Sequence, residues 1–274
     1  MQSLFQTPHP GFAAIACTVL LTACQAPPTA PSTSAEAVGE FRAGSGYLRG
    51  YLDPKALPNS RALLPAPPAD DSAQLAADTA AYKATRAHRG TARWDGAAQD
   101  AILKFPQAAN AFACTMGMPI SAEQTPQLNM LLRRTLTDAG LSTYAAKDSY
   151  KRKRPFVAMG DSTCTPREEP ALAKDGSYPS GHAAVGWAWA LVLVEVDPTR
   201  TTALLQRGYD FGQSRVICGV HWQSDVDAGR VMAAATVARL HADATFNAQL
   251  AAARTEVQAA RAAGLTAGKD CKTP

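Results

Sequence analysis

Residues 183–194 read Ala-Ala-Val-Gly-Trp-Ala-Trp-Ala-Leu-Val-Leu-Val, a run that is apolar at every helical position. A helix with no polar face has no side to offer water, so it belongs at the centre of a bundle or inside a membrane. A membrane span needs about 20 such residues. Glu195 ends this run after twelve. The run is therefore read as the buried central helix of a domain that is at most tethered to a membrane. Ala183, Ala184, Gly186, Ala188 and Ala190 would let neighbouring helices approach it closely.

The remaining chain fits the same architecture. Alanine is abundant and apolar residues recur at three- and four-residue spacing. This predicts helices over 73–88, 97–112, 122–146, 182–196, 199–214, 221–241 and 246–263. In the sixth, Val226, Val231, Ala234, Val237 and Ala238 form the expected inward stripe, with Arg230 and Arg239 off it. No alternating strand pattern and no internal repeat is visible. With 274 residues and 46% apolar content the chain can bury a sizeable core. The expected fold is all-α, a single-domain helical bundle over 45–265 with a short tail at 266–274.

The N-terminus reads as a targeting segment. Phe12 to Ala23 is apolar, of signal-peptide length, and runs into Leu21-Thr22-Ala23-Cys24. That tetrapeptide resembles the lipobox of bacterial lipoproteins, so residues 1–23 are read as a lipoprotein-type signal and Cys24 as the lipidated residue. Residues 1–11 carry no lysine or arginine, a departure from the usual basic start. Residues 24–44 read as a flexible tether. The expected location is the bacterial periplasm or outer membrane, held by lipid, with a soluble periplasmic enzyme as the alternative. Four of the six cysteines remain beyond the signal and Cys24. In an oxidising compartment they suggest two disulfides, and three connectivities are open. The pairing favoured here is Cys164 with Cys218 and Cys114 with Cys271; four buried thiols are the alternative.

The net charge of +4 suits a small anionic substrate and is too weak to indicate nucleic acid. Three segments carry the chemistry. In Lys147–Pro155 (KDSYKRKRP), Lys147 and Arg154 are seven apart. On one helical face their Cα atoms would be about 10 Å apart, close enough for both side chains to reach one anion. Pro155 disfavours helix at Arg154, so Arg154 is expected at the helix exit. In Pro179–His182 (PSGH), Ser180 is a good N-cap and Gly181 admits close backbone approach. The following helix N-terminus would favour an anion, with His182 beside it as general acid. In Ser214–Asp225 (SRVICGVHWQSD), Arg215 offers a planar fork to phosphate oxygens. His221 and Asp225 are four apart, on one face of the expected helix, so Asp225 could fix the tautomer of His221 and free its other nitrogen as a nucleophile. His88 and His241 lack comparable partners.

Together these segments resemble the signature of the type-2 phosphatidic acid phosphatase superfamily, which includes the vanadium haloperoxidases: K-x6-RP, then PSGH, then SR-x5-H-x3-D. Gly176-Ser177-Tyr178 and the stretch from Gly208 to Asp227 are most similar to bacterial class A nonspecific acid phosphatases. The likeness covers about residues 45–260. It implies a helical, metal-free, cofactor-free phosphomonoesterase of broad specificity with an acidic optimum, and a possible homodimer. By position, Lys147, Arg154, Ser180, Gly181 and Arg215 would hold phosphate, His221 would be the nucleophile, Asp225 its orienting partner and His182 the acid. Ala183 stands where many relatives have threonine. The other readings are a vanadium-dependent haloperoxidase, a lipid phosphate phosphatase and a non-catalytic anion-binding lipoprotein.

Overall fold

The protein's structure is a computed structural model that describes residues 30–268 and 271. The signal segment and Cys24 lie outside the described residues. Ten helices of five or more residues make up the body: α1 (Ala73–Thr85), α2 (Ala92–Gln99), α3 (Asn110–Met116), α4 (Pro126–Leu141), α5 (Tyr144–Tyr150), α6 (Pro155–Met159), α7 (Gly181–Val196), α8 (Thr201–Cys218), α9 (Gln223–Leu240) and α10 (Ala244–Ala262). Among the described residues there is no strand, only an isolated antiparallel bridge between Glu40 and Leu48, and no helix is long and apolar enough to cross a membrane.

The apolar run forms α7, and it is the central helix. Ala183, Ala184, Val185, Ala188, Trp189, Ala190, Val192, Leu193 and Val196 are all buried. It packs against α8, α9, α4 and α10. Two glycines set the α7–α8 distance: a Cβ on Gly186 would lie 2.3 Å from the Phe211 ring, and one on Gly208 would lie 2.4 Å from the Ala190 Cβ. Trp189 sits edge-on to Phe105, Phe112 and Phe211 and donates its indole N–H to the Leu132 carbonyl at 2.9 Å. Burying so large a ring with its one donor satisfied ties α7 to α3, α4 and α8.

Several expected boundaries move. The single helix expected over 97–112 is two. Thr91 caps α2 early, and Pro106, which disfavours helix at Phe105, separates α2 from α3. The helix expected over 122–146 starts at Pro126 and breaks after Leu141. There the Ser142 and Thr143 hydroxyls bond back to the Ala139 and Gly140 carbonyls. On α9 the inward stripe is Val226, Gly229, Met232, Ala233, Thr236, Val237 and Leu240, whereas Val231, Ala234 and Ala238 face outward. Of the expected stripe, Val226 and Val237 are inward and its other members are not. Both disulfides are present, Cys114–Cys271 and Cys164–Cys218, as favoured from the sequence.

Candidate active site

The three chemistry-bearing segments meet where the N-terminus of α7 faces the C-terminus of α8. A cavity of about 620 Å³ opens there, and Lys147, Arg154, Gly181, His182, Arg215 and His221 all line it. Ser180 and Asp225 stand behind this lining. The Ser180 hydroxyl accepts the Ala183 N–H at 3.2 Å and so caps α7, while its own N–H donates to the Asp225 carbonyl at 2.8 Å.

Lys147 and Arg154 do not share a helical face. Helix α5 ends at Tyr150, Lys151 takes a left-handed turn at φ 46°, and the chain runs extended into Pro155. In extended chain, alternate residues point to opposite sides. Lys151 and Lys153 are exposed, Arg154 is buried and Arg152 points inward. Lys147 reaches the same place from the last turn of α5. Its Nζ donates to the Gly176 carbonyl at 2.6 Å, and burial together with Arg154 lowers its pKa to about 8. Gly176 is required at this close approach, since a Cβ there would lie 2.7 Å from the Lys147 carbonyl oxygen.

Arg154 is held from several sides. Nε donates to the Leu172 carbonyl at 2.9 Å, Nη1 to the Val220 carbonyl at 3.0 Å, and Nη2 to Asp175 Oδ2 at 2.9 Å. Nη1 also lies 3.0 Å from His221 Nε2. A guanidinium only donates, so Nε2 is an acceptor and the imidazole proton sits on Nδ1. Nδ1 faces Asp225 Oδ2 at 3.4 Å. The expected His221–Asp225 pairing is therefore present, though not on a helical face. Gly219, at φ 85°, ends α8 and turns the chain; His221 precedes α9, and Asp225 lies in its first turn.

Sequence reasoning missed what holds Asp225. Arg152 Nη1 donates to Asp225 Oδ1 at 2.6 Å and to Ser224 Oγ at 2.8 Å, and Nη2 donates to Asp78 Oδ2 at 2.9 Å. Asp78, buried on α1, also accepts the Ser224 N–H at 2.9 Å. The basic run at 151–154 contained the signal. Read as extended before Pro155, it places Arg152 and Arg154 on one inward side.

Arg215 is the most unusual residue of the cavity. It is fully buried in the last turn of α8, and Nε, Nη1 and Nη2 all lack a hydrogen-bond partner. Burial lowers its pKa to about 10, so it remains a cation. A buried, unpaired guanidinium is costly by several kcal/mol, and here its donors open toward a cavity with two further cations. The imidazoles respond. His221 is held well below its ordinary pKa by burial and then by Arg154, Lys147 and Arg215. His182 is held down by burial and then by Arg215. The Nε2 proton of His182 is taken by the Ala101 carbonyl at 3.0 Å, which leaves Nδ1 as the second nitrogen.

The cavity also has an apolar and aromatic part to its wall. Phe41, Tyr47, Leu103, Leu136 and Tyr144 line it, with Arg42 at the edge. Part of the segment expected as tether thus forms a wall of the site. Lys104 donates to the Ser45 carbonyl and lies over the Tyr47 ring at 4.3 Å, joining that wall to the loop after α2. Of the remaining histidines, His241 is half exposed and pairs with Glu195 at 3.0 Å. Among the described residues no group of three or more His, Cys, Asp or Glu side chains could hold a metal ion.

Residues 128–248 match the PAP2 superfamily model. The chain is 47% identical to a non-specific acid phosphatase of Providencia stuartii over 207 residues, 75% of this chain and 84% of the relative. It is 43% identical to the non-specific acid phosphatase of Salmonella typhimurium over 82% of this chain and 86% of that protein. It is 41% identical to an acid phosphatase of Zymomonas mobilis over 73% and 76% respectively. The chain belongs to the PAP2 superfamily, among its bacterial non-specific acid phosphatases.

Proposed function

We propose that the protein hydrolyses phosphate monoesters of broad structure at acid pH, without a metal, through a phosphohistidine. The observation that carries this reading is the buried Arg215 guanidinium with all three nitrogens unpartnered. Such a group is tolerable where a tetrahedral oxyanion completes it.

The bound ester places its non-bridging oxygens among Lys147, Arg154, Arg215, the Ser180 hydroxyl and the Gly181 N–H. Those oxygens carry the charge of the transferring group, so cationic donors fixed around them lower the barrier. The anion draws Arg154 Nη1 away from His221 Nε2. The freed lone pair attacks phosphorus, the N–P bond forms, and the P–O ester bond breaks. His182, protonated, gives its proton to the leaving alcohol oxygen, a task worth about 10²–10⁴-fold. Asp225 holds the Nδ1 proton and stabilises the charge that develops on His221. Water then enters where the alcohol left, loses a proton to His182 and attacks phosphorus. The N–P bond breaks, inorganic phosphate leaves, and both imidazoles regain their starting states.

The test is turnover of p-nitrophenyl phosphate with excess chelator, combined with rapid quench of labelled substrate. Chelator-resistant turnover and an acid-labile, base-stable phosphoenzyme that disappears in His221→Ala are expected. Strict metal dependence, or halide oxidation with added vanadate in place of ester hydrolysis, would overturn the reading.

A further inference from the structure

Asp100 is a buried carboxylate outside the phosphate cradle, at the C-terminal end of α2. Its two oxygens take both prongs of Arg207 from α8, Nη1 donating to Oδ2 at 3.1 Å and Nη2 to Oδ1. Oδ2 also accepts the Ser214 hydroxyl at 2.6 Å. Ser214 directly precedes Arg215, and its hydroxyl in turn accepts Arg93 Nη1 at 3.0 Å. The residue after Asp100 is Ala101, whose carbonyl receives the His182 Nε2 proton. One peptide unit therefore lies between a carboxylate clamped to α8 and the carbonyl that holds the imidazole. Beyond Ala101 the chain is irregular up to Pro106.

We infer that Asp100 is the positioning residue for the His182 acid: by clamping residues 100–101 onto α8, it keeps the Ala101 carbonyl where it orients the imidazole toward the leaving oxygen. This rests on the reading of His182 as the acid. Three features support it. A bidentate arginine–carboxylate pair fixes geometry as well as charge. A carbonyl on one ring nitrogen decides which nitrogen is left for chemistry. The same clamp reaches Ser214, so the acid on α7 and the Arg215 cation on α8 are located from one point. A misplacement of 1 Å at a reacting group can cost on the order of 10²-fold in rate. The consequence is selective. An alkyl alcohol needs the proton as it leaves, whereas nitrophenolate departs without it.

The experiment measures kcat/KM, which reports the steps through P–O cleavage, for p-nitrophenyl phosphate and for glycerol 2-phosphate. It compares wild type, His182→Ala, Asp100→Asn and the double variant. His182→Ala should lose about 10²–10⁴-fold on the alkyl ester and far less on the aryl ester. Asp100→Asn should lose up to about 10²-fold more on the alkyl than on the aryl ester. In the double variant the alkyl-to-aryl ratio should stay at the His182→Ala value. An equal loss on both esters in Asp100→Asn, or a further fall in the ratio of the double variant, would overturn the inference. Equal losses in His182→Ala would instead sink the acid assignment itself. If Asp100→Asn does not fold, Arg207→Lys keeps the charge but only one prong. It should move the ratio in the same direction, and an unchanged ratio there overturns the inference as well.

Discussion

His182 and His221 share one cavity with three cations, and that company decides their protonation. Burial and the neighbouring positive charge hold both imidazoles well below their ordinary range. A bound phosphate offsets part of that positive charge and raises both. Histidine NMR, with His182→Ala for assignment, should find His182 titrating below the ordinary value of about 6.5. Saturating phosphate should shift it upward. Titration at or above that value in the free protein would contradict this depression by burial and neighbouring charge. Asp175 has the opposite effect on the ligand. Its carboxylate lies 2.9 Å from Arg154 Nη2 and 3.7 Å from Lys147 Nζ, so it competes with phosphate for both cations. Asp175 is about one-third exposed, so solvent limits the effect. Asp175→Asn should bind inorganic phosphate roughly twofold to fivefold more tightly, read as its inhibition constant; weaker inhibition would refute the competition. At this scale the sequence was informative wherever contiguous residues formed a chemical pattern. Lys147, Arg154, His182, Arg215 and His221 all reach the cavity from motifs. Asp78, Arg152 and Asp100 were not legible as a support structure, because their partners lie on helices that only the fold brings together.

Helices α7 and α8 approach closely at Gly186 and Gly208, beside the Trp189–Phe211 contact. Gly208→Ala places a methyl group 2.4 Å from the Ala190 Cβ, so the helices must separate. Overpacking of this kind costs about 1–3 kcal/mol, partly offset by the better helix propensity of alanine, about 1 kcal/mol. Gly96→Ala is the matched control, since nothing lies within 4 Å of a Cβ there, and it should stabilise by up to about 1 kcal/mol. Urea unfolding of both variants is the check; a Gly208→Ala protein as stable as wild type would show that the contact is not tight. The central helix and the small residues on it were readable from composition alone. The helix ends were less so. Apolar periodicity does not register Pro106, which disfavours helix at Phe105 between α2 and α3, or the hydroxyls of Ser142 and Thr143, which compete with helix.

At the scale of the molecule, two covalent ties close what packing arranges. Cys164–Cys218 fastens the loop before Glu168 to the end of α8, three residues ahead of His221, and spans 54 residues. Cys114–Cys271 ties α3 to the chain beyond α10 across 157 residues. Replacing both Cys164 and Cys218 by alanine should lower stability by about 2–4 kcal/mol. Because Arg215 and His221 flank this bond in sequence, activity should fall together with stability. Full activity in a destabilised double variant would show that the cradle is held by packing alone. The wall of the cavity is less self-contained. One part of it is Phe41 and Arg42, which come before the helical body. A protein trimmed to begin at residue 45 would keep every charged group of the cradle and still leave the cavity gaping on one side.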